Sequence, residues 1–284
     1  MPGSMGKTSK VITAGTGRWA LCVSLILGLL PAGLMAAEPQ ESVPLVSLEW
    51  PPYIGESLEG LGPTYQIVAE ALGRGGYAPK VEFLPWARAI EVARSAQVAG
   101  VFPEYYEPAR DAEFLFSDPL PGGPVVFYKR RADGIRFAAD PRTDPEGAFL
   151  GLRQYRFGVV RGYVNTRTFD AASYLTKDEA TSDEINLKKL AYGRVDLIVI
   201  DALVARYLLQ TRLPDFADQL DLMRPPLEYK PLYVAFNRKH PKAGAYLAAL
   251  NAGLASMRAD GRIDAILAGY DMRPEPSAEA LSTD

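Results

Sequence analysis

The segment SDPLPGGPVVFYKRR, residues 117–131, divides the chain into two parts. Its three prolines and two glycines stop a regular alternation of strands and helices, because proline cannot continue a hydrogen-bonded ladder. An extended apolar run follows at once, and a second one, LEYKPLYVAFNR, occupies residues 227–238. We interpret the first segment as a crossover out of a first lobe and the second as the return crossover.

The first part of the chain has the pattern β-α-β-α-β. Short apolar segments predict strands at PLVSLEW (44–50), KVEFLPW (80–86) and AGVFP (99–103). Apolar residues at helical spacing predict helices within GLGPTYQIVAEALGRGGY (60–77) and ARAIEVARSAQ (87–97). This order is typical of an α/β layer with a parallel sheet.

A second α/β set lies between the two crossovers. The predicted elements are a strand at RFGVVRG (156–162), a helix around Tyr163 to Tyr174, a helix at EINLKKLAYGR (184–194), a strand at VDLIVID (195–201) and a helix at ALVARYLLQ (202–210). Two further helices, AGAYLAALNAGLASMRADG and RIDAILAGY, close the chain. The stripe Leu247, Leu250, Leu254 and Met257 predicts that the first of them packs on a core.

These elements predict a hinged clamshell of two α/β lobes joined by two extended crossovers. We expect the first lobe to comprise residues 37–122 and 228–273, and the second lobe residues 123–227. Residues 274–284 are expected to form a disordered tail, because they are polar and of low complexity. Folds of this kind bind ligands in the crevice at the carboxyl ends of their strands and close about a hinge.

The first 36 residues have the three-part pattern of a secretory signal peptide. A basic start precedes the apolar run WALCVSLILGLL (19–30), and small residues follow Pro31. We expect cleavage near Ala36 or Ala37. A retained membrane anchor is the alternative, but the run is short for a membrane span. No other apolar stretch of 18 residues occurs, so we expect no membrane insertion after cleavage.

Composition after cleavage excludes several classes of function. Removal of Lys7, Lys10 and Arg18 from the 31 basic residues leaves 28 against 34 acidic residues, which argues against binding nucleic acid or an anionic membrane. The single cysteine, Cys22, is lost with the leader, and the single histidine, His240, lies in a basic turn. We therefore expect no cysteine or zinc chemistry, no Ser-His catalysis and no cofactor. No phosphate-binding loop is present.

Two charged residues are the strongest candidates for binding a ligand. Arg110 follows the strand AGVFP, and its guanidinium fork matches a carboxylate; alternatively it pairs with Glu107 or Asp111 on the surface. Asp201 comes directly after VDLIVI, at the carboxyl end of a buried strand. It is also a favoured residue for capping the helix that follows, and capping does not exclude a ligand role.

Other candidates follow the remaining predicted strands. Arg161 and Asn165 flank Gly162, where a helix amino terminus would offer amides to an anion. Glu104 is an acid at the crevice edge that could select a cationic group. The remaining candidates are the aromatic residues Tyr53, Trp86 and Tyr105, which could stack on a ligand, and Arg88, which starts a helix facing the crevice. For each of them the alternative is core packing or a solvated surface position.

Four stretches in this order resemble the family 3 periplasmic solute-binding proteins, the polar amino-acid receptors of ABC importers. They are AGVFPEYYEPARDAEFLFSDPL (99–120), FGVVRGYVNT (157–166), AYGRVDLIVIDALVA (191–205) and ADGRIDAILAGY (259–270). The resemblance covers nearly all of the mature chain. It implies the two-lobed type II clamshell of periplasmic binding proteins, a periplasmic location, a small polar solute as ligand, an ABC-transporter permease as partner, and a monomer.

The resemblance also implies roles for particular residues. Arg110 matches the arginine that clamps the ligand α-carboxylate, and Asp201 the aspartate that takes the α-ammonium. Tyr163 and Val164 match positions that support the carboxylate. Acidic Glu104 and Glu107 replace the Ser or Thr residues common before the arginine, so the sequence predicts a divergent branch with an altered carboxylate site.

Two alternative functions stay open at this point. Some relatives are periplasmic dehydratases of prephenate-type, cyclohexadienyl substrates, and in such an enzyme Glu104 would be the general acid. The other alternative is a sensor partner that presents its ligand to a membrane receptor. We expect a receptor and not an enzyme.

Overall fold

The computed structural model describes residues 40–272, so the predicted leader and the predicted tail lie outside the described residues. The strands of this part are β1 Glu41–Ser47, β2 Tyr77–Phe83, β3 Gly100–Tyr105, β4 Phe114–Phe116, β5 Leu120–Arg130, β6 Arg156–Val160, β7 Thr176–Ala180, β8 Leu197–Asp201, β9 Leu220–Leu222 and β10 Glu228–Asn237. The α-helices are α1 Pro63–Gly73, α2 Trp86–Arg94, α3 Pro145–Leu150, α4 Arg167–Ala171, α5 Asp183–Ala191, α6 Ala202–Thr211, α7 Pro214–Ala217, α8 Ala243–Ala259 and α9 Arg262–Gly269. Two 3-10 helices occupy Glu59–Leu61 and Pro108–Arg110.

The strands form a mixed sheet in the order β2-β1-β3-β10-β5-β8-β6-β7. Strand β1 runs parallel to β2 and β3, and β6 runs parallel to β7 and β8. Strands β5 and β10 are antiparallel to their neighbours. The two predicted parallel sets are therefore present, one at each end of the sheet.

Strands β5 and β10 are the two crossovers, and they pair with each other. Their register runs from Leu120 opposite Leu232 to Val125 opposite Glu228. From Val125 onward β5 pairs instead with β8. We call β1–β3 with α1, α2, α8 and α9 the first lobe, and β6–β8 with α3–α7 the second lobe. We propose that the boundary between them crosses β5 near residue 123 and β10 near residue 228.

Apolar packing supports the elements of both lobes. In the first lobe α1 packs on α8, which buries Leu250, Leu254 and Met257 from the predicted stripe. In the second lobe the rings of Phe127, Phe149, Phe157 and Phe169 lie 5.2–5.9 Å apart, between β5, β6, α3 and α4.

Two predicted elements differ from the structure. The helix expected around Tyr163 begins only at Arg167 and is five residues long, because the side chain of Thr166 caps it by accepting from the backbone N–H of Phe169 at 3.3 Å. The first strand ends at Ser47, whereas the prediction extended it to Trp50. Trp50 lies instead in a turn, in which its backbone N–H donates to the carbonyl of Ile54 at 2.9 Å. The helix start predicted after Gly162 is therefore wrong, and the anion site predicted there has no helix terminus to support it.

Replacing Gly253 by alanine should lower the free energy of unfolding by about 2 kcal/mol or more, because overpacking a tight contact is destabilising. A Cβ at this position of α8 would meet the backbone of Ala71 in α1, with Ala71 Cα 2.7 Å away. Gly244 lies in the same helix with nothing within 4 Å of such a Cβ. Gly244→Ala is the control, and urea unfolding should show it neutral or slightly stabilised. Equal effects of the two changes would contradict the proposed contact.

Candidate functional site

The carboxyl ends of strands from both lobes meet in one crevice. The turn after β1 supplies Trp50 and Tyr53, and the end of β3 supplies Glu104 and Tyr105. The second lobe supplies Tyr163 after β6, Asp183 at the start of α5 and Asp201 at the end of β8. The parallel sets place these residues here because side chains that follow parallel strands share one sheet edge.

Asp201 joins the two lobes. Its Oδ1 accepts from the backbone N–H groups of Leu203 at 2.8 Å and Val204 at 3.2 Å, which caps helix α6. Its Oδ2 accepts from the hydroxyls of Tyr53 at 3.0 Å and Tyr105 at 3.1 Å. Burial raises the pKa of Asp201 to about 6, against the lowering effect of these hydrogen bonds. The predicted capping role is present, and the ligand role stays a prediction.

A second carboxylate of the second lobe is held in the same way. Asp183 is buried, and its Oδ2 accepts from Trp50 Nε1 at 3.0 Å and from the hydroxyl of Tyr163 at 3.2 Å. Burial raises the pKa of Asp183 to about 7. Neither Trp50 nor Asp183 was among the residues predicted for the site.

The carbonyl of Gly162 is the third point at which the lobes meet. It accepts from Trp86 Nε1 at 3.0 Å and from the Arg110 guanidinium at 3.1 Å. The left-handed backbone of Gly162, at φ 80°, directs the chain across the crevice opposite the start of α2. Trp86 also meets the ring of Tyr163 edge-on, with centroids 5.9 Å apart.

Glu104 and Arg110 form a buried ion pair. The Glu104 side chain is 2% exposed and that of Arg110 is 12% exposed. Burial raises the pKa of Glu104 to about 7, although Arg110 and then Lys230 pull it down. The structure thus pairs two predicted site residues with each other. The carboxylate clamp predicted for Arg110 stays a prediction, since it would require Arg110 to be shared with Glu104.

Lys230, on crossover β10, links the crossover to the second lobe. It is buried, and its Nζ donates to the carbonyl of Asn165 at 2.8 Å and lies 5.2 Å from the centroid of the Tyr105 ring. The side-chain amide of Asn165 donates to Asp170 at 2.8 Å. Asn165 therefore contributes its backbone carbonyl to the lobe contact, while its side chain faces α4.

Two predicted residues lie outside the crevice, which corrects their assignment. Arg88 is exposed on α2 and pairs with Glu91 at 3.4 Å, because its position on the helix faces solvent while Trp86 faces inward. Arg161 pairs with Glu179 at 2.8 Å on the open surface, since alternate residues of an extended segment point to opposite sides.

The crevice contains a small aromatic cavity. It encloses about 280 Å³ of empty space, part of which is open to solvent. Its walls are formed by Leu48, Trp50, Trp86, Pro103, Glu104, Tyr105, Tyr163, Val164 and Leu232. Predicted and unpredicted residues thus line one space between the lobes. Among residues 40–272, no group of three or more His, Cys, Asp and Glu side chains is placed to hold a metal ion.

Comparison with protein families decides the classification. The family of bacterial extracellular solute-binding proteins, family 3, matches residues 46–272, which is most of the chain. This chain belongs to that family. The match places the family 3 protein among binding proteins and not among enzymes, which confirms the non-enzymatic prediction. Comparison with curated protein sequences finds no match.

Solved structures share the fold of this family 3 protein at low sequence identity. A histidine kinase sensor domain with similarity to periplasmic binding proteins is 18% identical over 84% of this chain and 99% of its own, with a TM-score of 0.69. The GluR0 ligand-binding core from Nostoc punctiforme in complex with L-glutamate is 15% identical over 81% and 99%, with a TM-score of 0.66. An amino acid ABC transporter substrate-binding protein, AbpA, from Streptococcus pneumoniae bound to L-arginine is 14% identical over 82% and 96%, with a TM-score of 0.64. The predicted two-lobed clamshell is confirmed.

In the described part of this family 3 protein, no helix has the length and apolar character needed to cross a membrane.

A side chain added at Gly123 should open the crevice. A Cβ at this crossover position would meet the hydroxyl of Tyr53 and lie 2.7 Å from Asp201 Oδ2. We expect Gly123→Ala to lower the free energy of unfolding by about 1–3 kcal/mol, measured by urea unfolding. Gly134→Ala is the control, because nothing lies within 4 Å of its added Cβ. A neutral Gly123→Ala would show that this contact does not hold the lobes together.

Proposed function

We propose that this chain is an exported periplasmic receptor that captures a small polar solute by hinge closure and delivers it to an ABC-transporter permease. The observation that supports it is the set of hydrogen bonds between lobes. Trp50, Trp86 and Tyr105 of the first lobe donate to Asp183, Gly162 and Asp201 of the second. Groups that meet across a crevice in this way separate when the lobes open, so solute binding and closure are coupled.

The neighbours support an amino acid or a related compound as the solute, because their ligands include L-glutamate and L-arginine. The proposed ligand-facing residues are those that line the cavity, with Arg110 and Asp201 directly behind them. We further propose that the leader is cleaved on export and that the receptor is a monomer, in keeping with its extracellular family.

Intrinsic fluorescence provides a direct test of solute binding. The chain has three tryptophans, and Trp19 lies in the predicted leader, so the exported protein should contain only Trp50 and Trp86. Both line the cavity. We would express the full chain, isolate the exported protein and titrate it with amino acids, amines and organic acids. A binding solute should change the emission, and at 100 times its Kd should add about 2.7 kcal/mol of stability.

Single Trp50→Phe and Trp86→Phe variants would assign the fluorescence change to the crevice. A panel that leaves both emission and melting temperature unchanged would contradict the receptor function. The permease is tested separately by solute uptake in cells. Uptake should be lost when either the receptor gene or its permease gene is deleted; intact uptake with a lost signalling response would contradict delivery to a permease.

A further inference from the structure

A wide groove leads from solvent to the aromatic cavity. It encloses about 1410 Å³ of empty space, much of it open solvent, and it shares Leu48, Trp50, Trp86 and Tyr163 with the cavity. With the lobes in contact the cavity has room for about one water molecule, so a solute would enter it while the lobes are apart. A small solute therefore has one continuous route from the mouth of the groove to Glu104.

The charge along this route has one dominant sign. The groove is lined by four acids, Glu49, Glu56, Asp183 and Glu184, and by one basic residue, Arg212. Glu104 is the only charged side chain among the described residues that line the cavity, and its charge is shared with Arg110, so the excess of negative charge comes from the groove. A cleft lined by one sign of charge concentrates ligands of the opposite sign and accelerates their entry. This distribution favours a cation.

The cavity walls suit an organic cation rather than a hydrated metal ion. Four rings, those of Trp50, Trp86, Tyr105 and Tyr163, line the cavity beside Glu104. Three pairs of these rings meet edge-on with centroids 5.9–6.4 Å apart, so they form a continuous aromatic wall. Aromatic walls attract alkylated ammonium groups through the ring quadrupole, and they offer no oxygen shell to a metal ion.

A ligand carboxylate finds no open partner in the cavity. Arg110 is paired with Glu104 and donates to the Gly162 carbonyl, and Lys230 donates to the Asn165 carbonyl. Neither side chain lines the cavity or the groove. A ligand carboxylate would lie beside Glu104 and Asp183, where like charges repel at short distance in a poorly hydrated site.

We propose that the crevice binds a small organic cation without a carboxylate, which enters along the acidic groove and places its ammonium group beside Glu104 among the four rings. This inference rests on the proposed receptor function, and it narrows the solute from an amino acid or a related compound to a related cation that lacks the carboxylate. Closure would then complete the aromatic enclosure, because Tyr163 comes from the second lobe and the other three rings come from the first.

Isothermal titration with three compounds of matched shape tests the ligand class. The probes are choline chloride, its uncharged isostere 3,3-dimethyl-1-butanol, and the zwitterion glycine betaine; putrescine and agmatine extend the cationic set. We expect choline or one of the other two cations to bind at least about tenfold more tightly than the uncharged isostere and glycine betaine. Binding of the cations should weaken as ionic strength rises, because the groove acids are screened.

The other outcomes separate the two proposals. If glycine betaine, L-arginine or L-glutamate binds at least as tightly as the cations, the ligand class proposed here is overturned and the receptor function stands. If the uncharged isostere binds as well as choline, the charge argument is overturned in the same way. If none of these compounds and none of the wider panel binds, both proposals are overturned.

Variants locate the cation within the cavity. Glu104→Gln should weaken binding of the cation at least about tenfold, since it removes the acid beside the ammonium and leaves the charge of Arg110 without its partner. Glu91→Gln, on the exposed face of α2, is the matched control and should leave the affinity unchanged. Trp86→Phe keeps an aromatic ring and should weaken binding less than Trp86→Ala. Unchanged affinity in Glu104→Gln would overturn the placement, and if that variant fails to fold, unchanged affinity in Trp86→Ala would overturn it.

Discussion

Replacing Asp201 by alanine is expected to lower the free energy of unfolding by about 3–5 kcal/mol. The loss of an N-cap costs about 1 kcal/mol, and each buried donor left without an acceptor costs about 1–3 kcal/mol. Asp201 caps α6 through two backbone N–H groups and accepts from the hydroxyls of Tyr53 and Tyr105. One substitution therefore removes a helix cap and two hydrogen bonds between the lobes.

Two comparisons separate these effects in urea unfolding. Asp201→Asn keeps an oxygen that can cap α6, and its amide nitrogen can donate to a tyrosine hydroxyl, so we expect it to cost far less than Asp201→Ala. Asp215→Ala removes an exposed aspartate from the first turn of α7 and should change stability by less than about 0.5 kcal/mol. An Asp201→Ala variant as stable as Asp215→Ala would show that the carboxylate does not hold the lobes together.

The ligand-free protein should lose stability as the pH rises from about 5 to about 8. Burial raises the pKa of Glu104 from 4.5 to about 7, of Asp183 from 3.8 to about 7 and of Asp201 from 3.8 to about 6. Between the ordinary and the raised values, the unfolded chain has released its protons while the folded chain still holds them. The folded state then binds more protons than the unfolded state, so raising the pH favours unfolding.

The size of the pH effect follows from the same shifts. One pKa unit corresponds to about 1.4 kcal/mol, so over the one to two units between pH 5 and the raised pKa values each of the three acids contributes on the order of 1–3 kcal/mol. Surface acids whose pKa is lowered by ion pairs, such as Glu70 and Asp260, act in the opposite direction, but only below about pH 5. Urea unfolding at several pH values should therefore show a maximum near pH 5.

Amide substitutions provide the control for the pH profile. Glu104→Gln, Asp183→Asn and Asp201→Asn should each flatten the decline between pH 5 and 8, because an amide does not titrate. The matched surface change Glu91→Gln should leave the profile unaltered. Stability that rises steadily from pH 5 to 8 would contradict the buried, partly protonated state of these three acids.

Much of the fold could be predicted because its signals are local. Proline and glycine in residues 117–131 end one pattern and begin an extended strand, and the apolar runs before Tyr105 and Asp201 have the length of buried strands. Strand β7, TKDEA, was missed because only Ala180 is buried, so its sequence has no apolar periodicity. The late start of α4 depends on the Thr166 cap. Several residues within this short stretch could cap a helix, so the sequence did not show which of them does.

The site was predictable only in part, for a different physical reason. Position after a strand correctly brought Glu104, Tyr105 and Asp201 to one edge of the sheet. The same argument could not find Asp183, whose partner Trp50 lies 133 residues away along the chain. The one available signal for Asp183 was its place in the first turn of α5. An aspartate there is an ordinary feature of a helix start and does not by itself indicate a binding site.

By itself, the sequence determined the alternation of strands and helices, the two crossovers and the approximate set of residues at the strand ends, because periodicity and turn chemistry act over a few residues. Only the tertiary structure decided which charges neutralise each other. Arg110 meets Glu104, and Asp201 meets two tyrosines, because closing the lobes buries these groups where each polar atom needs a partner. Burial, and with it the raised pKa of all three acids, is a property of that packing and of no single segment.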